Sequence, residues 1–219
     1  FEIDDGSRNV FVSDCVALGG VCGLQIKGHN YAPAPYNITV NGFRAMNNMQ
    51  GVTMYHLYNY GPAYDEALPG FYGSFSEGEG NRNKRSTTAK NVTLNNIEIL
   101  APCKRTEYTA SAESNTAGDG ARNGLKIRSY ENVHISNCTV SQNAYDMAGD
   151  LQTATDVISA APVVLYSDAR NVHFQNLTVD GFNVTRAMSQ FEELSGNSAI
   201  ELTNSCGGNI TFDGVTIKN

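Results

Sequence analysis

One ten-residue phrase recurs six times without a gap, and it constrains the fold more than any other feature of the chain. The copies are NVFVSDCVAL from Asn9, NITVNGFRAM from Asn37, NVTLNNIEIL from Asn91, NVHISNCTVS from Asn132, NVHFQNLTVD from Asn171 and NITFDGVTIK from Asn209. Each opens with Asn, has Val or Ile second and an aliphatic residue or Phe fourth, the period-two alternation of a strand buried on one face. The sixth position holds Asp14, Gly42, Asn96, Asn137, Asn176 or Gly214. These residue types tolerate a left-handed backbone, so each phrase predicts strand, sharp bend, strand. Asn96, Asn137 and Asn176 should then occupy equivalent bends, with Asn137 and Asn176 stacked.

A further strand precedes each phrase: FEID from Phe1, GLQIK from Gly23, GVTMY from Gly51, GLKIR from Gly124, PVVLY from Pro162 and AIELT from Ala199. A single such unit cannot bury its own inward row, so neighbours must stack at about 4.8 Å, giving a cylinder roughly 29 Å long. The expected fold is all-β: a right-handed parallel β-helix, a solenoid of about six coils of three strands with long loop excursions. It forms a single domain over residues 1–219. A β-sandwich does not repeat a motif in register, and helical periodicity is almost absent. Because the chain opens on an alternating strand, Phe1-Glu2-Ile3-Asp4, it reads as a fragment of a longer polypeptide.

Composition excludes several function classes. The formal net charge of -7 offers no basic field for a nucleic-acid backbone, and no apolar run reaches the roughly 20 residues of a membrane span. Five cysteines at Cys15, Cys22, Cys103, Cys138 and Cys206 show no metal-ligand spacing, and an odd number makes a poor disulfide framework. Cys15 and Cys138 read as buried thiols. The four histidines are scattered, and neither a metal nor a cofactor is expected. Asn-x-Thr triplets begin at Asn37, Asn91, Asn137, Asn176, Asn183 and Asn209, and five of the six coincide with the repeat. There Asn serves turns and Thr outward strand positions better than either serves glycosylation.

The connections differ greatly in length. Those at 19–22 and 47–50 are tight, whereas 59–90, 101–123, 142–161 and 181–198 are long, and long loops on a rigid scaffold usually carry function. All four flank the GLQIK-type strand, making its outer face the floor of a groove. Alignment gives two outward rows there: Glu2, Gln25, Thr53, Lys126, Val164, Glu201, and Asp4, Lys27, Tyr55, Arg128, Tyr166, Thr203. Lys27, Tyr55, Arg128 and Tyr166 should form one solvent-facing line able to hold an acidic oligosaccharide. His29, His56 and Glu201 are further substrate-binding candidates. In the 59–90 excursion, Tyr60, Tyr64, Phe71, Tyr72 and Phe75 could stack on sugar faces.

Three stretches carry a family resemblance. FEIDDGSRNVFVSDCVAL from Phe1 resembles the "GIDIDSSRNVTIENCxI" stretch of pectin-lyase-like β-helices, particularly the polygalacturonase-type glycoside hydrolases. GGVCGLQIK from Gly19 is similar to that family's "GDDCIAIK", with Cys22, Ile26 and Lys27 matching, and GLKIRS from Gly124 is similar to its "GxRIKT". The resemblance implies a β-helix and gives Lys126 and Arg128 the role of engaging the carboxylate of an acidic sugar. The family's adjacent catalytic aspartates fall on Gly20 and Val21, and its Gly-His-Gly histidine has no counterpart. What remains is carbohydrate activity of another kind, as in phage tail-spike depolymerases and adhesins, which are extracellular or virion-associated and allow a homotrimer.

Three functions are therefore carried forward, all with a polysaccharide or oligosaccharide as partner. A glycoside hydrolase acting on an acidic glycan needs two carboxyl groups across a glycosidic bond, for which Glu2 and Asp4 are candidates, about 6.6 Å apart along one strand. A polysaccharide lyase needs a base and cations beside a uronate, for which Lys126 and Arg128 are candidates. A non-catalytic glycan-binding or structural solenoid of a phage fibre or surface protein needs only the repeat and a groove.

Overall fold

The computed structural model describes residues 1–28, 35–48, 50–56, 90–102, 123–141, 144–145, 151–152, 161–166, 169–181, 198–203 and 206–218. The strands, in chain order, are β1 (Glu2–Ile3), β2 (Arg8–Leu18), β3 (Cys22–Gly28), β4 (Tyr36–Met46), β5 (Gln50–His56), β6 (Lys90–Leu100) and β7 (Leu125–Arg128). They continue with β8 (Glu131–Ser141), β9 (Ala144–Tyr145), β10 (Leu151–Gln152), β11 (Val163–Tyr166), β12 (Arg170–Asp180), β13 (Ile200–Leu202) and β14 (Gly208–Lys218). There is no helix among the described residues.

The chain alternates between two parallel six-stranded sheets. The first runs β1-β3-β5-β7-β11-β13 and the second β14-β12-β8-β6-β4-β2, so each repeat adds one strand to each sheet. A two-stranded antiparallel pair, β9 with β10, lies apart from both. Register follows the repeat without slippage: Ile38 pairs with Val92, Val92 with Val133, Val133 with Val172 and Val172 with Ile210.

The segments expected as two strands around a bend run as one 11-residue strand. Its bend lies where the sequence puts it, since Asp14, Gly42, Asn96, Asn137, Asn176 and Gly214 all have φ between 52° and 73°. The bend lets two successive residues face outward, so the aliphatic positions on either side of it both point inward. In β6 the inward residues are Val92, Leu94, Ile97 and Ile99, none more than 1% exposed. The asparagine that opens each phrase is also left-handed, with φ of 50–59° at Asn9, Asn37, Asn91, Asn132, Asn171 and Asn209. The sequence pattern had not assigned these a special conformation.

Both left-handed positions support side-chain ladders. Each opening asparagine donates its Nδ2 to the Oδ1 of the one a repeat earlier, from Asn37→Asn9 to Asn209→Asn171, at 2.7–3.3 Å. At the bend, Asn176 donates to Asn137 at 3.1 Å and Asn137 to Asn96 at 3.4 Å. The corner leading into the first sheet is tight as well. A Cβ on Gly51 would lie 2.2 Å from Ile99 Cγ2 and 2.6 Å from the Gly124 carbonyl, so only glycine lets the two sheets approach there.

The core is the stack of inward rows, closed at one corner by the buried ring of Tyr130, whose hydroxyl donates to the Ile26 carbonyl at 3.4 Å. Burial pushes that phenol far above its ordinary pKa. Cys138 is fully buried, as expected, and desolvation pushes its thiol up to about 12. Cys15 corrects the expectation. It occupies the equivalent inward row on β2, where it is half-exposed and packs against the core beside Phe43, its register partner on β4.

Two outcomes follow. Asn137→Val puts a β-branched residue at φ 52° and cuts the bend ladder, and should destabilise by about 1–3 kcal/mol; an unchanged urea midpoint would count against the ladder. Maleimide added to the native chain should leave Cys138 untouched until unfolding, since a buried thiol carries little thiolate. Rapid native labelling of Cys138 would contradict its burial.

Candidate functional site

The first sheet's outer face is built by alternation: Leu24 and Ile26, Val52 and Met54, and Leu125 and Ile127 fill the core, so the residues between them face the other way. Register aligns Glu2 with Gln25, Gln25 with Thr53, Thr53 with Lys126, Lys126 with Val164 and Val164 with Glu201. The second row aligns Lys27 with Tyr55, Tyr55 with Arg128 and Arg128 with Tyr166. His56 ends β5, opposite Gly28. His29 and the 59–89 aromatic segment lie outside the described residues, as do Glu107, Glu113, Asp119, Asp146, Asp150 and Asp168, the acids that the long loops could bring to a hydrolytic site, and the side chains of His56 and Tyr166.

Burial on this face departs from a simple wet surface. Thr53 is 1% exposed, Lys126 3% and Val164 8%, although all three face away from the core. The second row is intermediate at Lys27, Tyr55 and Arg128, so the line expected to face solvent is half-buried. A polar composition on an outer strand face is therefore no measure of its exposure.

The two candidate catalytic carboxylates are joined through one ammonium. Lys27 Nζ lies 2.5 Å from Glu2 Oε1 and 3.6 Å from Asp4 Oδ2. Burial alone would lower the lysine pKa, but the hydrogen bond to Glu2 and the charges of Asp4 and Tyr55 outweigh it and hold Lys27 above its ordinary value. Lys27 thus stays charged and is unsuited to proton abstraction. Beside this cluster, Gln25 Nε2 donates to the Tyr55 hydroxyl at 3.5 Å.

Sequence reasoning missed a second polar group at the start of the same strands. The Cys22 thiol donates to Gln50 Oε1 at 3.5 Å, and Thr53 Oγ1 donates to the sulfur at 3.9 Å. Burial raises the Cys22 pKa, opposed by the Thr53 hydrogen bond and the charge of Lys126. The one signal that could have found this group was the match of Cys22 to a family cysteine. On the second sheet, His134 and His173 pack edge to face with centroids 5.9 Å apart, and His173 Nδ1 lies 2.6 Å from Thr211 Oγ1.

No protein-family model matches the chain. It is similar to the preneck appendage protein of Bacillus phage PZA, 26% identical over 218 residues, covering 99% of this chain and 21% of that protein. The pre-neck appendage protein of Bacillus phage B103 is 23% identical over 217 residues, again 99% of this chain and 21% of the relative. The crystal structure of the N-terminal fragment of bacteriophage phi29 gene product 12 matches with a TM-score of 0.62 at 22% identity, over 99% of this chain and 28% of that one. This last likeness shows the fold alone. The chain spans about a fifth of the length of the curated relatives it matches.

The Lys27 cluster has a testable pH dependence. A lysine whose pKa rises on folding adds stability that is full below the unfolded value of about 10.4 and is lost as pH climbs through the folded one. Glu2 is half-exposed, so the contribution is at most about 1 kcal/mol. Urea midpoints of wild type and Lys27→Met should differ by a constant amount through neutral pH and converge in alkali, once the pH has passed the raised lysine pKa. A gap that is absent at neutral pH, or that persists undiminished in alkali, would refute the ion-pair account.

Proposed function

We propose that the two sheets are walls of a right-handed parallel β-helix, and that residues 1–219 form one structural, glycan-contacting domain of a phage appendage, associated with the virion. The carrying observation is similarity to pre-neck appendage proteins along 99% of the chain. The unbroken register across six repeats supports the β-helix, since a chain returning to the same two parallel sheets at every repeat must wind around its core.

The outer face of the first sheet is the contact surface for an acidic glycan in this reading, with Arg128 gripping a carboxylate and Tyr55 stacking beside it. A non-catalytic role fits this face better than hydrolysis. Glycosidases hold two carboxyl groups apart across the scissile bond, with space for sugar or water between them. Here an ammonium sits between Glu2 and Asp4, and glycine and valine stand where the resembling hydrolases have their aspartate pair.

The test is incubation of the full-length protein with a panel of acidic and neutral polysaccharides, followed by product analysis and titration calorimetry. Binding without new reducing ends or ultraviolet-absorbing unsaturated ends is the expected result. New reducing ends would make the protein a hydrolase and unsaturated ends a lyase, and either would overturn the reading. Arg128→Ala should weaken binding of the acidic glycan by about 1.5–3 kcal/mol while the melting temperature holds. Equal affinities would remove this row from the contact surface.

A further inference from the structure

The bend ladder on the second sheet has a missing rung. Asn96, Asn137 and Asn176 stack in successive repeats, but the position before Asn96 is Gly42, with φ 73° and no side chain. Asn96 Nδ2 donates instead to Asn41 Oδ1 at 3.0 Å, the same sideways bond that Asn137 Nδ2 makes to Asn95 Oδ1 at 3.1 Å, and Asn41 Oδ1 also accepts from Asn95 Nδ2 at 2.9 Å. The Asp14 carboxylate leans over the vacated place: a Cβ on Gly42 would meet Asp14 Oδ1 at 2.5 Å.

This gap opens into an outer groove of about 460 Å³, within the roughly 300–1,000 Å³ typical of small-molecule sites. Its walls include Asp14, Val16, Arg44, Asn96 and Glu98. Arg44 and Glu98 are register partners on β4 and β6, and Arg44 Nε donates to Glu98 Oε2. Among the described residues this bond leaves the terminal N–H groups of Arg44, the second oxygen of Glu98 and both oxygens of Asp14 without a hydrogen-bond partner.

We infer that this groove binds a neutral, hydroxyl-rich sugar. Two carboxylates against one guanidinium leave one excess negative charge, which disfavours phosphate and uronate ligands. Glu98 is neutralised by Arg44, so only Asp14 remains for a metal ion, and a hard divalent cation wants several oxygen ligands. An apolar ligand would strand the charged groups without water. A sugar hydroxyl can donate to Asp14 or Glu98 and accept from Arg44, while Val16, 66% exposed, offers an apolar edge to a C–H face of the ring. The site lies on the second sheet and does not rest on the acidic-glycan reading of the first.

The experiment is calorimetric titration of the full chain with neutral cello-, malto- and chito-oligosaccharides, with oligogalacturonate as the acidic control. Gly42→Asn is the decisive variant, because asparagine accepts the left-handed backbone and would fill the missing rung; only the flexible Asp14 carboxylate must move aside. It should keep or raise the melting temperature and lower affinity for the neutral oligosaccharide at least tenfold. Asp14→Gly, which keeps the left-handed bend and removes the carboxylate, should lower it likewise and serves if Gly42→Asn fails to fold. Wild-type affinity in either folded variant, or no neutral oligosaccharide bound by the wild type, overturns the inference. Its failure is separable from that of the first-sheet reading, because Arg128→Ala probes a different sheet with a different ligand.

Discussion

Everything in this structure depends on equivalent residues stacking on one another in register, and the left-handed asparagines show what enforces it. A left-handed non-glycine residue costs about 1–2 kcal/mol, somewhat less for asparagine, while a side-chain hydrogen bond returns about 0.5–1.5 kcal/mol. The two nearly cancel, so the ladders are not where the stability comes from. Their effect is on alternatives. A slip of one residue would turn every inward Val, Leu and Ile outward and also remove each amide from its partner above and below. Stability comes from the apolar rows; the asparagines choose which stacking those rows adopt.

Stacking also explains why burial follows position in the stack more closely than residue type. Cys138 lies in one row with Ile97 and Leu177 on the strands either side of it, and the thiol is as deeply buried as the two aliphatic side chains, at 1% exposed. Val140 is flanked in register by Ile99 and Val179, and all three are at most 1% exposed. A residue in such a fold is buried by its neighbours in adjacent repeats, and the strand carrying it contributes little.

That dependence separates what was legible in the sequence from what was not. Strand positions, register and the sixth-position bends could be read because they rest on local alternation and on residue types suited to left-handed geometry. The left-handed opening asparagine escaped notice, since an Asn before a strand is compatible with many turns. On the first sheet, the alignment of Lys27, Tyr55 and Arg128 could be read from register alone. The joining of Glu2 and Asp4 through Lys27 could not, because it depends on where long side chains settle. The burial of Thr53 and Lys126 was hidden for a related reason: periodicity says which way a residue faces and nothing about what lies beyond it. The missing rung at Gly42 was visible as a glycine in a column of amides, but its consequence needed the third dimension.

The same alternation allows one scaffold to carry two chemically different faces. Inward residues and left-handed positions are tied to the stack, whereas outward residues can change without disturbing it. The first sheet places Lys27, Lys126 and Arg128 among Glu2, Asp4 and Glu201 on its outer side, whereas the groove on the second sets one arginine between two carboxylates. A fold kept recognisable at 22% identity fits that division, because a repeat holds its shape when about every second strand position stays apolar and the bends keep Asn, Asp or Gly. Fold and binding specificity are therefore written in different residues of the same strands. Likeness in the inward and bend positions speaks to architecture, and the chemistry of each surface has to be read from the outward rows of this chain itself.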